Sequence, residues 1–132
     1  MLYLDSNVFI YAALSREAIG TRARQLLQKV RDGQQEAGSC SLTFDELVWV
    51  VQRHRSRGDA IAAGQSFLAL ANLRILGVDQ DSLFAALSLM NRYPLHPRDA
   101  IHASTAIASG CSAIVSSDNH FDRVNEIARK PI

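Results

Sequence analysis

What this chain lacks already narrows its class. Among its 132 residues only two are cysteines, Cys40 and Cys111, far apart and with no C-x-x-C pair. That excludes a zinc ribbon and speaks against a disulfide scaffold; with small residues beside each, both are expected to be buried free thiols. No apolar run nears the ~20 residues a membrane-spanning helix needs; the longest is Val8 to Leu14. No Lys or Arg precedes that run and Asp5 interrupts the apolar opening, so a signal peptide is not expected and a cytoplasmic location is. Repeats, linkers and low-complexity stretches are missing, as are a P-loop and a G-x-G-x-x-G loop. Lysine is scarce, with arginine at 12 of the 14 basic positions. Arginine suits phosphate recognition, although a GC-rich coding sequence also favours it. The formal net charge is only +1, so overall charge neither demands nor excludes a nucleic-acid partner.

The chain does have enough apolar residues, 48%, and enough length for one domain spanning 1–132. Apolar segments alternate with helical ones. Leu2-Tyr3-Leu4 reads as a strand, with Asp5-Ser6-Asn7 capping a short helix after it. Ala23, Leu26, Leu27 and Val30 recur at helical spacing, and Asp32-Gly33 ends that helix. Gly38 to Ser41 is a weak strand. A helix then runs from Ser41 to a stop at Gly58, and a further one, capped by Asp59, reaches Asn72. Leu73 to Val78 is a strand, followed by a helix capped by Asp79 or Asp81. Pro94 and Pro97 bracket a loop before a helix through Ala108, which Gly110 terminates. Ala113-Ile114-Val115 is the most strand-like segment; beyond it, Phe121 to Ile132 reads as a short helix or turn and a tail. Strands separated by helices imply parallel pairing through right-handed crossovers, so an α/β sheet with helices on both faces is expected.

Sites in such folds lie beyond the carboxyl ends of the strands. Asp5 and Asp118 follow strands, Glu46 lies early in the helix after the weak strand, and Asp99 opens the helix leading to Ile114. Four carboxylates on one rim repel unless cations neutralise them. Oxygen ligands favour Mg2+ or Mn2+, and such ions serve nucleases. Each acid also has a structural use. Asp5 can cap a helix, Glu46 stands at capping-box spacing from Thr43, Asp99 suits a helix dipole, and Asp118 suits a turn.

Leu4-Asp5-Ser6-Asn7, Glu46, Arg98-Asp99-Ala100-Ile101-His102-Ala103, and Ser116-Ser117-Asp118 with Phe121-Asp122 together resemble the PIN domain. More narrowly, they resemble VapC-type toxin ribonucleases, in order and across essentially the whole chain. The resemblance implies a three-layer α/β/α fold with a mostly parallel sheet of about five strands. It implies a Mg2+-dependent endoribonuclease, with Mn2+ as substitute, acting on RNA and inhibited by a cognate antitoxin protein. It matches Asp5, Glu46, Asp99 and Asp118 to the acidic positions, with Asp5, Asp99 and Asp118 as metal ligands. Asp122 matches an additional acidic position, and Ser6 or Ser116 support the site by hydrogen bonds.

Beside these, Arg98 is placed to meet a scissile phosphate. His102 is expected to pack or to support a carboxylate. Arg53, His54, Arg55 and Arg57 suit a solvated helix end, and His54, His96 and His120 show no metal-ligand spacing with one another. Apolar side chains between Phe44 and Leu87, among them Trp49, Val50, Phe67 and Leu70, predict a homodimer. Two other readings stay open: an aspartyl phosphotransferase or phosphatase using Asp5, though Asn7 stands where a second acid would be needed, and a non-catalytic RNA- or antitoxin-binding module.

Overall fold

The computed structural model describes residues 1–132. The elements run β1 (Leu2–Leu4), α1 (Ser6–Leu14), α2 (Ala18–Arg31), β2 (Ala37–Cys40), α3 (Ser41–His54), α4 (Arg57–Leu68), β3 (Leu73–Leu76), α5 (Gln80–Arg92), α6 (Pro97–Ala108), β4 (Ala113–Val115) and β5 (Ala128–Lys130). A 3-10 turn, Asn119–Arg123, joins the last two strands. All five strands pair in parallel, in the order β3-β2-β1-β4-β5. The expected three-layer α/β/α architecture is what the chain forms.

Strand alternation distributes the core. Leu2 and Leu4 point to one face, where they join Val8 and Phe9 of α1, Ala23 and Val30 of α2, and Leu47 of α3. Tyr3 and Ile114 point to the other and meet Leu89 of α5, Ala100 and Ala103 of α6, and Phe121. β1 and β4 are buried along their whole length. That is why they read as unbroken apolar runs, as strands covered on both faces do. The edge strand β3 instead exposes Arg74 and Ile75, and a charge on an edge discourages further pairing.

Several boundaries differ from the sequence reading. β5 falls in what reads as a tail. Its residues, Ala-Arg-Lys, are half-exposed at the edge, so no apolar pattern marks them. Gly58 lies inside α4 rather than ending α3. The cap of α4 is Ser56, not Asp59: the Ser56 hydroxyl accepts from the Asp59 amide at 3.0 Å and donates to the Asp59 carboxylate at 2.9 Å. Ser56→Ala is expected to cost about 1 kcal/mol, read by chemical denaturation, and to leave the acidic site unaltered. Thr43 makes no capping box with Glu46. It is buried within α3, whose N-cap is Cys40, and accepts from Ser39 at 2.8 Å. Cys40 is a buried free thiol as expected, but Cys111 is only half-buried. Gly110 does end α6, with φ of 65°, a left-handed value that favours glycine.

The strand order fixes where a site can form. From β1 the chain winds through β2 and β3 to one side, then crosses to β4 and β5 on the other. The order reverses between β1 and β4, and the crevice beyond their carboxyl ends is the natural binding position. Their register, Leu4 opposite Val115, makes Asp5 and Ser116 neighbours across that crevice.

Candidate active site

Asp5 is 5% exposed and sits in a dense set of donors. It caps α1, Oδ1 accepting from the Ser6 amide at 2.7 Å. Oδ2 accepts from the Ser116 hydroxyl and from Asn7 Nδ2, each at 2.7 Å. Asn7 and the Asp118 amide also donate to the Ser116 hydroxyl, both at 2.9 Å. Asp5 is therefore the helix cap that the sequence allows, and it lies in the crevice beside Ser116 as well. Burial raises the Asp5 carboxyl, and the Glu46 charge adds to this, against lowering by His102, Ser116 and Ser6.

Glu46 reaches the crevice from the second turn of α3, its side chain 12% exposed. His102 Nε2 donates to Glu46 Oε2 at 2.7 Å and lies 3.5 Å from Asp5 Oδ1. Arg98 Nε stands 3.9 Å from Glu46 Oε1. Burial would raise the Glu46 carboxyl, but the His102 hydrogen bond and charge, with Ser6 and Arg98, hold it below its usual range.

His102 is one of the largest fully buried side chains. Its Nδ1 lies 2.7 Å from the Tyr3 hydroxyl, which itself donates to Cys40 Sγ at 3.0 Å. With that proton directed to sulfur, the Tyr3 oxygen accepts from Nδ1–H. Because a carboxylate only accepts, Nε2 also carries a proton. Both ring nitrogens then donate, as in an imidazolium. Cys40 Sγ also lies 3.7 Å from His102 Nδ1. Burial lowers the His102 pKa, but the Cys40 and Glu46 contacts and the Asp5 charge reverse this and raise it from 6.5 to about 10. His102 thus supports Glu46, as expected from sequence, with a depth of connection to Tyr3 and Cys40 that spacing did not reveal.

Asp99 projects from the first turn of α6 and Asp118 from the N-cap of the 3-10 turn. Asp118 Oδ1 accepts from the His120 amide at 2.8 Å. The Asp99 carboxyl is raised by burial and by the charges of Asp118 and Asp5, so these three acids sense one another. Asp122 turns elsewhere: both its oxygens accept from Arg129, at 2.7 and 2.9 Å, and Arg129 also holds the Ser116 carbonyl at 3.1 Å. Two groupings bring possible metal-ligating atoms within 4.8 Å of one another, Asp5–Glu46–His102 and Asp99–Asp118–His120. His120 belongs to no motif of the sequence reading; its spacing two residues after Asp118, in the turn that Asp118 caps, is the signal that sets it beside these acids.

Four carboxylates brought from four separate segments, two of them raised by burial and neighbouring charge, form an oxygen-rich set that fits a hard divalent cation. A model of the PIN domain matches residues 2–127. The chain belongs to the PIN-domain family.

Known proteins resemble this PIN domain in sequence and, where solved, in fold. Ribonuclease VapC7 of Mycobacterium tuberculosis is 27% identical over 128 residues, covering 96% of this chain and 88% of that protein. VapC20 of the same organism, described as a sarcin-ricin-loop-cleaving toxin, superposes with a TM-score of 0.79 at 14% identity, over 95% of each chain. VapBC2 from Rickettsia felis, solved with a promoter DNA fragment, superposes with a TM-score of 0.78 at 19% identity, over 99% of this chain and 98% of that one. No helix of this PIN domain is long and apolar enough to cross a membrane.

Proposed function

We propose that residues 1–132 act as a single cytoplasmic metal-dependent endoribonuclease domain, the toxin of a toxin–antitoxin pair. The observation that carries this reading is the convergence of Asp5, Glu46, Asp99 and Asp118 at the β1–β4 crevice, where burial and mutual charge raise Asp5 and Asp99. Asp5, Asp99 and Asp118 are the residues that would hold Mg2+, or Mn2+ as substitute; when bound there, the ion would supply a lowered water pKa and offset charge on an attacked phosphate. The protein's own groups divide the remaining work. Ser116, Asn7 and Ser6 fix the Asp5 oxygens. Glu46, gripped by His102, keeps one oxygen toward Arg98 and orients water for attack. Arg98, with a side chain 59% exposed, is free to meet the scissile phosphate. Asp122 acts at a distance, steadying Arg129 and through it the Ser116 carbonyl.

A phosphoryl-accepting Asp5 is the weaker reading, because Asn7, not a second acid, stands two residues on and donates to Asp5 Oδ2 at 2.7 Å. A non-catalytic RNA- or antitoxin-binding module differs in outcome. Incubation with single-stranded RNA should give cleavage with Mg2+ or Mn2+ and none with chelator. Intact RNA in every metal would overturn the nuclease reading.

For partners, an antitoxin has a groove of about 470 Å³ between α1, α2, α3 and α4, lined by Phe9, Leu27, Phe67 and Leu70, with Arg24 and Arg31 in its wall. That lining suits an acidic amphipathic segment. A homodimer is also proposed, on apolar surface within the Phe44–Leu87 span read in sequence. Of the side chains singled out there, Trp49 is exposed at 52%, whereas Phe67 is buried and Val50 and Leu70 are half-buried. Exposed beside Trp49 are Leu68 at 61%, Ile75 at 44%, Phe84 at 60% and Leu87 at 61%, among others. They are carried by α3, α4, the edge strand β3 and α5. Sedimentation should give twice the monomer mass, and Leu87→Asp should return it to a monomer; a wild-type monomer at high concentration would contradict the dimer.

A further inference from the structure

His120 has a nitrogen with no assigned work. Its Nδ1 is buried and makes no hydrogen bond. It nevertheless lies 3.2 Å from Asp118 Oδ1 and 3.7 Å from Asp99 Oδ2. Asp118 Oδ1 accepts from the His120 backbone amide and keeps a second lone pair, and no protein group donates to Asp99. The nitrogen, on a side chain 36% exposed, and the two carboxylate oxygens lie within 4.8 Å of one another without a hydrogen bond between side chains. An octahedral ion with bonds of ~2.1 Å sets adjacent ligands about 3 Å apart, close to these separations. The other histidine of the site offers a contrast, since both nitrogens of His102 are committed, to Glu46 and to Tyr3.

We propose that His120 Nδ1 is a nitrogen ligand of the divalent ion held by Asp99 and Asp118, and that it tilts the site from Mg2+ toward Mn2+. The proposal rests on the metal-dependent reading above and refines it. Mg2+ binds through oxygen and keeps most of its water, so an imidazole adds little to its affinity. Transition metals gain more from a nitrogen donor, in an order that begins at Mn2+. The backbone places this ring: the Asp118 side chain caps the turn that carries His120, and the ring packs edge-to-face on His96 with centroids 5.7 Å apart.

The test uses Mn2+ bound to the full chain and pulsed electron paramagnetic resonance, which detects nitrogen directly bonded to manganese. Wild type is expected to show a histidine nitrogen coupling that changes on isotopic labelling of histidine. His120→Ala should lose the coupling and bind Mn2+ at least about tenfold more weakly, while its Mg2+ affinity changes little. His96→Ala should keep the coupling. Bound Mn2+ without nitrogen coupling, or a coupling that survives His120→Ala, overturns the assignment and leaves the carboxylate site standing. Failure of wild type to bind Mn2+ at all overturns both this assignment and the metal-dependent reading. Circular dichroism of His120→Ala separates ligand loss from misfolding, and His120→Asn, which keeps a polar side chain in the exposed turn, gives a second variant expected to lose the coupling.

Discussion

Asp99→Asn should abolish RNA cleavage and at the same time raise the melting temperature of the metal-free protein. Asp99 is partly buried, receives no hydrogen bond from the protein, and is raised by burial and by the Asp118 and Asp5 charges. A carboxyl raised by folding binds its proton more tightly in the folded state, so its ionisation opposes folding, and increasingly so as pH climbs from the usual carboxylate range through the raised value. Asparagine removes that charge with little change of shape. The gain should therefore be full at neutral pH and fade as the medium is acidified toward the usual carboxylate range. At this chain length each ~1 kcal/mol corresponds to about 4 °C, so a shift of several degrees is the expected scale. Cleavage should fall at least about a hundredfold, and stabilisation by added Mg2+ should shrink, since ligand binding to the folded state alone supplies it. Thermal melts across pH, with chelator and with Mg2+, read all three effects. A lower metal-free melting temperature with an unchanged response to Mg2+ would make Asp99 a structural helix residue. Asp5→Asn should not behave alike. Its two oxygens accept from Ser6, Ser116 and Asn7, and an amide nitrogen in place of one oxygen would face donors. That variant is expected to lose stability as well as activity.

His102→Ala should be the most destabilising single change at the site. It leaves Tyr3, Asp5 and Glu46 without their shared buried partner. Removing one member of a buried charged pair costs about 3–5 kcal/mol, a large part of the ~5–15 kcal/mol that holds a domain folded. Because folding raises the His102 pKa, its contribution is complete below 6.5 and is lost as pH rises through about 10. The wild type should thus lose stability over that alkaline interval, and His102→Ala should lose less. His102→Gln can return an N–H to Glu46 and should recover part of the stability and part of an activity otherwise reduced ~10–100-fold. Tyr3→Phe isolates the lower contact and should cost about 1–2 kcal/mol. Equal stability of His102→Ala and wild type in urea denaturation would remove the buried network from the energetics of the site.

The central strands were legible in sequence for a physical reason. β1 and β4 are covered on both faces, so their composition is forced, and Asp5 stands directly after β1 and Asp118 three residues after β4. The ordered motifs around Asp99 and Glu46 completed the set. The less visible parts depend on contacts between distant segments. β5 is a short edge strand of Ala-Arg-Lys, identified by its pairing with β4 rather than by its own residues. His102 reads in sequence as a packing residue or a support for a carboxylate, and only the sheet brings Tyr3 and Cys40 beneath it. Glu46 matched a capping box until α3 proved to begin two residues before Thr43. Phe67 looked available for a partner until α4 turned it onto Phe9, with ring centroids 4.9 Å apart.

The central proposal, that these carboxylates direct metal-activated water at an RNA phosphodiester, is tested most directly by cleavage in oxygen-labelled water. Wild type and Asp99→Asn are purified identically and given single-stranded RNA with Mg2+ or Mn2+. The expected result is cleavage by wild type alone, with solvent oxygen in the newly formed terminal phosphate and no cyclic phosphate ends. Cyclic ends without solvent oxygen would mean that the RNA's own hydroxyl attacks, and equal cleavage by Asp99→Asn, or none by either protein, would contradict the proposed site.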